Sequence, residues 1–463
     1  MTEPTDSGKP VYFENVLAAV GNTPLVRLNR IVGKHDSLLL AKIESFNPGG
    51  SVKDRIGRNI VDEAEKSGRL KPGGTIVEAT SGNTGVGLAL VAAVRGYKLV
   101  CAMPDKMSKE KINLLKAYGT RVVVCPTNVA PDSPDSYYEV ARRIARETPN
   151  AILANQYHNQ ENPRSHYIST GPEIWRQTAG KITHFVGGIG TGGTMSGTGR
   201  YLKEMNPNVK VICADPEGSI LKEYFLTKNI GEARPYLIEG IGEDIIPTTV
   251  HFQYFDEIRS INDREAIDIT RRLSREEGIL IGTSGGAAVV AACQVARETS
   301  ADAVIVVILP DSGERYLSKV HNDAWMQDQG LLSANAVSLR EVVARKSASI
   351  PRLITADAAD TTRIAVAIME QHNVSQLPIV EGGDLVGAMS EAGVMGAALR
   401  DPGLLNRACR DTMEPPFPRA QAEESVQRAI DLFTKGAHAV IVEDARSPVG
   451  IVTRFDVLGI AAN

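Results

Sequence analysis

The sequence predicts an α/β protein: a mostly parallel sheet in two subdomains, followed by a smaller, internally repeated α/β module. Three observations predict it. Short β-rich runs alternate with helical stretches from residue 25 to residue 309. Three turns rich in Gly, Ser and Thr, at 80–85, 190–194 and 281–286, stand where such runs give way to helices. Beyond Leu331 two stretches echo one another, Ile379-Val380 matching Ile441-Val442 and Ser390 matching Thr453.

Taken in order, residues 1–10 are polar, and 25–28 and 38–43 read as strands. The turn-forming run Asn47-Pro48-Gly49-Gly50 leads into a helix with Ile56, Ile60, Val61 and Ala64 on one face and Gly68 as its stop. Then follow strands at 75–79, 99–103, 121–125 and 152–155, with helices to about 94, at 109–118 and at 137–146. Prolines and aspartates make 126–134 a loop. A second set has strands at 184–186, 209–214 and 303–309, and helices from 194 to 205, at 263–277 and at 285–298. The long irregular stretch 216–247 predicts a binding loop. Each tail copy reads helix, strand, turn, strand, helix. The division is 1–330 for the first domain, 331–336 for a linker and 337–463 for the module, with repeats at 337–400 and 407–463.

Composition narrows the function. The 463 residues are 43% hydrophobic and 23% charged, a soluble globular balance. A net charge of -4 offers no electrostatic attraction to nucleic acid or to anionic membranes. No apolar run spans a bilayer, and the first twenty residues lack a secretory signal pattern, so a cytoplasmic protein is expected. The five cysteines are scattered without CxxC, which predicts buried free thiols. The eight histidines show no HExxH, so no metal site is expected.

The chemistry starts at Lys53. At a loop-to-helix corner, the positive end of the helix dipole and burial both lower an ammonium pKa. Such an amine can form an imine with an aldehyde cofactor and then serve as a base. The turn at 80–85 can cradle a carboxylate, and Asn83 can reach a ring oxygen. The turn at 190–194 offers two hydroxyls and close backbone approach, which suit a phosphate, while Ser284 in the third turn can meet a ring nitrogen. Spacing alone leaves an alternative open. Gly188, Gly190 and Gly193 satisfy GxGxxG, with Asp215 beyond the next strand, as in a nicotinamide dehydrogenase. That alternative gives Lys53 and the 80–85 turn no work.

Together SVKDR, TSGNTG, GTGGT and GTSGG, in this order, resemble the pyridoxal-phosphate β-family, fold type II, with a tryptophan synthase β-like core. The resemblance covers about residues 12–328. Within it the likeness is greatest to the cystathionine β-synthase family, on 46–55, Glu239-Gly240-Ile241-Gly242-Glu243-Asp244, Leu309-Pro310-Asp311-Ser312 and Asp323-Ala324-Trp325-Met326. The repeated tail is similar to the paired CBS domains. Gly285-Gly286-Ala287-Ala288 and Gly313-Glu314-Arg315-Tyr316 look as much like cysteine synthase, and Glu243 stands where some relatives carry an aromatic residue.

The resemblance implies that Lys53 holds pyridoxal 5'-phosphate as an aldimine and moves the Cα proton. It implies Asn83 on the ring oxygen, Gly190, Thr191, Gly192, Gly193 and Thr194 around the phosphate, and Ser284 at the pyridine nitrogen. Thr80, Ser81, Gly82, Thr84 and Gln156 would hold the substrate carboxylate, and Tyr157, Tyr236 and Gly240 would wall the second-substrate pocket. The implied reaction joins L-serine and L-homocysteine into L-cystathionine through an aminoacrylate. O-acetylserine sulfhydrylase activity is the nearest alternative, and a non-catalytic adenosyl sensor the remote one. No haem is expected, because no haem-binding extension precedes the catalytic region, and a homodimer or homotetramer is. In the tail, Thr453 and Asp456 resemble a ribose-gripping signature, with Val374, Gln376 and Leu377 from the other repeat. S-adenosylmethionine is the leading ligand there, and AMP or ATP its rival. Gly393 replaces the aspartate in the first copy, which marks that site as impaired.

Overall fold

The computed structural model describes residues 12–32, 37–80, 82–105, 107–130, 132–331, 337–344, 353–445 and 447–461. Ser81 and linker residues 332–336 lie outside them. The chain forms two compact units, Met1–Asn322 and Asp323–Asn463.

The first unit runs β1 (Leu25–Arg27), β2 (Leu38–Ile43), α1 (Lys53–Lys66), β3 (Thr75–Ala79), α2 (Asn83–Arg95), β4 (Lys98–Pro104), α3 (Lys109–Ala117), β5 (Arg121–Cys125), α4 (Tyr137–Glu147) and β6 (Ala151–Leu153). It continues with α5 (Glu161–Ile168), α6 (Thr170–Gln177), β7 (His184–Gly188), α7 (Gly193–Met205), β8 (Lys210–Pro216), α8 (Leu221–Thr227), β9 (Glu257–Ile261), α9 (Asp263–Arg272), α10 (Thr283–Glu298) and β10 (Val304–Leu309).

Two sheets result. The smaller, in order β5-β4-β3-β6, is wholly parallel. The larger, β1-β2-β10-β7-β8-β9, is parallel except for β1. Both faces of each sheet are covered, which explains the unbroken apolar strand sequences. Along β10, Ile305, Val307 and Leu309 face α10, while Val306 and Ile308 join Phe185, Val211 and Leu202 on the opposite side. In the small sheet Ile76, Leu99, Cys101 and Met103 face α2, and Val77, Val100 and Ala102 pack with Val140 and Ala141 of α4.

Four elements of the first unit escaped the periodicity reading. Helices α5 and α6 carry Pro163 and Gly171 with little apolar regularity, and β9 turns only Ile258 and Ile261 inward. The stretch 216–247 is not wholly irregular: α8 forms because Leu221 and Phe225, four residues apart, pack on the large-sheet core. All five cysteines are free and buried. Among the described residues no helix is long and apolar enough to cross a membrane, and no group of three or more metal-ligating side chains forms.

In the second unit, hairpins Gln376–Glu381/Asp384–Ser390 and Ala439–Asp444/Ser447–Thr453 are equivalent, each extended by a short parallel strand. Ala388, Phe417, Ala439 and Ile441 form a cluster shared by the two repeats. The segment 337–344, expected to open the first repeat, instead packs on the second. Val337, Leu339, Val342 and Val343 lie in its core with Val426, Val440 and Val452, and Leu339 N donates to Glu424 O at 2.9 Å. Its apolar spacing marks a buried face but not which core receives it.

Candidate active site

Helices of the first unit differ in how they start. Helices α3, α4 and α9 begin at Ser108, Ser136 and Asn262, whose side chains accept from their first turns. Helices α2, α7 and α10 begin instead at Gly82, Gly192 and Gly282, and no side chain caps them. These are the three small-residue turns. Among the described residues no side chain accepts from their first amides, which lie at the positive end of each helix dipole, where an external anion binds well.

The fold joins the three turns. Gly242 N donates to Ile189 O at 2.7 Å, and Glu239 N donates to Thr283 Oγ1 at 2.8 Å, so the Glu239–Gly242 segment binds the second turn to the third. A Cβ placed on Gly240 would lie 3.7 Å from Ser284 Oγ. Thr84 Oγ1 donates to Gln156 Oε1 at 2.6 Å, and Asn162 Nδ2 reaches both Gln156 O (2.8 Å) and Thr191 Oγ1 (3.1 Å). The first turn is thereby tied to the second. Gly192 adopts φ 79° under Val250, whose Cγ2 would sit 2.4 Å from a Cβ there.

Lys53 is the first residue of α1 and is partly buried. Its ammonium has no hydrogen-bond partner among the described residues. Burial pushes its pKa down, and the carboxylates of Asp311, Glu243 and Glu44 push it back up. Asp311 also accepts from Asn83 Nδ2 at 2.7 Å and from Tyr316 Oη at 2.6 Å. Ser51 bridges to Asp311, and Val52 N donates to Pro310 O at 2.8 Å, which places the lysine corner beside the first turn.

Of the expected residues, Thr80, Gly82, Asn83, Thr84 and Gln156 surround the first turn, Gly190 to Thr194 form the second and Ser284 lies buried in the third. Gly82 N donates to Thr80 Oγ1 at 3.0 Å. Tyr157 lines a cavity of about 300 Å³ with Glu78, Tyr138, Arg142 and Ile246. Tyr236 stands over Gly242, 2.6 Å from the position of a Cβ there. Burial and then Asp244 and Asp215 push the Glu243 carboxyl well up. Asp215, the ribose ligand of the dinucleotide alternative, accepts from Lys222 N at 3.0 Å and so anchors the start of α8.

Sequence reasoning missed several supports. Thr249 Oγ1 holds Thr191 O at 2.5 Å and Tyr157 O at 3.0 Å. His166, kept neutral by burial, joins Thr194 Oγ1 (3.2 Å) to Thr170 Oγ1 (2.8 Å). Beneath α1, Arg55 binds Glu44 and Glu173, and Lys42 Nζ meets Glu173 Oε2 at 2.7 Å, all buried. Nothing local in the sequence signals these long-range pairs.

In the second unit Asp456 Oδ2 accepts from Thr453 N and Thr453 Oγ1 at 2.7 and 2.8 Å, at the start of helix Arg454–Ala461. Gln376 Oε1 is buried without a hydrogen-bond partner among the described residues, Leu377 is fully buried in the first-repeat core and Val374 packs beside it.

A buried-edge lysine, an uncapped glycine turn fit for phosphate and a second fit for carboxylate define a pyridoxal-phosphate-dependent enzyme of fold type II. The comparisons agree. The family model for pyridoxal-phosphate dependent enzymes matches residues 16–311, and that for CBS domains matches 345–400 and 409–463. The chain belongs to the pyridoxal-phosphate-dependent enzyme family, with a tandem CBS pair after the catalytic part. It is 37% identical to cystathionine beta-synthase of Dictyostelium discoideum, over 97% of this chain and 92% of that one. The Saccharomyces cerevisiae cystathionine beta-synthase is 34% identical over 97% and 98%. The Apis mellifera enzyme is 46% identical over 69% of this chain and 63% of its own length. Among solved structures, O-ureido-L-serine synthase aligns with a TM-score of 0.63 at 37% identity, covering 68% of this chain and all of its own. A hydrogen sulfide-producing enzyme from Fusobacterium nucleatum aligns at 0.61 and 38%, covering 66% and 98%. The protein is thus a pyridoxal-phosphate-dependent lyase of the β-replacement kind, and the dehydrogenase alternative falls away.

Proposed function

We propose that this protein condenses L-serine with L-homocysteine to L-cystathionine. The observation that carries it is Lys53 at the start of α1, its ammonium without a hydrogen-bond partner among the described residues, in the same unit as three glycine-started helices that no side chain caps. Support for the substrates comes from the cystathionine beta-synthases, which match along both the catalytic part and the tail.

Pyridoxal phosphate, when bound, supplies an electron-withdrawing ring that acidifies the Cα–H of a joined amino acid. Lys53 would carry it on Nζ, and the same nitrogen would take that proton and later return it. The amides of 190–194 and the start of α7 would hold the phosphate, with Thr191 and Thr194 offering hydroxyls. Asn83 donates to the ring oxygen. Ser284, a neutral hydroxyl buried at the start of α10, would meet the ring nitrogen without supplying a carboxylate to hold a proton there. Thr80, Gly82, Thr84, Gln156 and Ser81 bind the substrate carboxylate, and Gln156 spends one N–H on Ala79 O at 3.3 Å. Tyr157, Tyr236 and Gly240 bound the second-substrate pocket. Thr453 and Asp456 hold the ribose of an adenosyl ligand, with S-adenosylmethionine first in line.

The two solved relatives are named for other products, O-ureido-L-serine and hydrogen sulfide. An assay of serine or O-acetylserine against homocysteine or sulfide therefore decides the substrates. Cystathionine formation should dominate; faster cysteine formation from O-acetylserine and sulfide contradicts the proposal.

A further inference from the structure

Asn83 is held at both ends of its amide. Nδ2 donates to Asp311 Oδ2 at 2.7 Å, while the Arg315 guanidinium donates to Asn83 Oδ1. Both partners are fixed in turn. Asp311 is 1% exposed and accepts from Tyr316 Oη at 2.6 Å; Arg315 is 8% exposed and also donates to Gly49 O. An amide has one acceptor oxygen and two N–H donors. Turning it over would set its oxygen against the Asp311 carboxylate and its nitrogen against the Arg315 donors. Both contacts would be repulsive, so only one orientation survives. Among the described residues the second Asn83 N–H has no acceptor, and the side chain is only partly buried.

We infer that Asp311 and Arg315 are positioning residues that lock Asn83 as an obligate hydrogen-bond donor toward the cofactor's ring oxygen, holding that oxygen in its anionic form. This rests on the assignment of Lys53 and Asn83 to the cofactor. A free amide could offer its carbonyl instead and would favour the protonated ring oxygen. The carboxylate and guanidinium come from the segment after β10, whereas Asn83 opens α2 in the other subdomain. The lock thereby makes the electronic state of the ring depend on how that segment seats against the first turn.

The test is the absorption spectrum of the holoenzyme, comparing the yellow form (anionic ring oxygen) with the near-ultraviolet form (protonated ring oxygen). Bound cofactor is quantified after alkaline release. In Asp311→Asn/Arg315→Met the ratio of yellow to near-ultraviolet absorption should fall roughly fivefold at full occupancy, the value of about one hydrogen bond. Each single variant should give part of that fall. In an Asn83→Ala background the same pair should add nothing, a result that general loosening of the fold would not give. The wild-type ratio in a fully loaded double variant, or in Arg315→Met alone should the double not fold, overturns the inference. Failure of the wild type to take up pyridoxal phosphate overturns the cofactor assignment instead.

Discussion

Gly57 and Gly87 meet backbone to backbone: a Cβ on Gly57 would lie 2.5 Å from the carbonyl carbon of Gly87. This contact brings α1 and α2 together at their N-terminal halves, and thus sets Lys53 beside the 80–85 turn. A Cβ on Gly87 would in turn strike the Lys53 carbonyl oxygen at 2.4 Å.

Gly87→Ala should therefore push the lysine corner away from its turn. We expect a loss of about 1–3 kcal/mol in stability, as for other overpacked sites, and weaker cofactor uptake. Denaturant midpoints and cofactor titration measure the two effects. Unchanged uptake would mean that the helix crossing does not set the lysine.

Acid should attack the cluster under α1. Burial raises the Glu173 carboxyl, but Arg55 and Lys42 outweigh it and hold it at about 2, below its ordinary 4.5. A depressed acid contributes stability above its unfolded pKa, and that contribution is lost as pH falls from about 4.5 through about 2. Glu173→Gln should remove this part of the acid transition. It should also cost about 3–5 kcal/mol at neutral pH, because the buried cations lose a partner. Unfolding followed against pH checks both.

Alkali should act through Glu78 in the opposite sense. Burial pushes its carboxyl up to about 8, although the amides of Gln156 and Asn155 favour its charged form. A raised acid stabilises fully below its unfolded pKa of about 4.5 and loses that contribution as pH rises through about 8. Glu78→Gln should be near neutral at pH ~6 and stabilising by about 1–3 kcal/mol at pH ~9. An identical alkaline limb in both proteins would contradict the assignment.

Asp456 tests the module. Because its carboxylate also caps the final helix, Asp456→Asn, which keeps an acceptor, is the informative change. Calorimetric titration with S-adenosylmethionine should show binding to the wild type and at least roughly tenfold weaker binding to the variant. Equal affinities, or no heat from either protein, would remove the proposed adenosyl site.

How much was legible follows from what each signal depends on. Strands such as β10 and the start of α1 at Lys53 were readable because apolar runs, turn glycines and period are local properties. The three turns were readable as candidates, yet their convergence depends on Gly57 against Gly87 and on Gly242 N to Ile189 O, contacts between distant segments. Asp311 and Arg315 stood in motifs already noticed for their resemblance, but their grip on Asn83 shows only in three dimensions. The placement of 337–344 on the second repeat was hidden for the same reason.

Borohydride reduction of the holoenzyme followed by peptide mass spectrometry identifies the lysine that carries the cofactor. We expect a single reduced pyridoxyl adduct on Lys53, absent from Lys53→Ala. An adduct on another lysine, or none in a protein that is yellow and active, would contradict it.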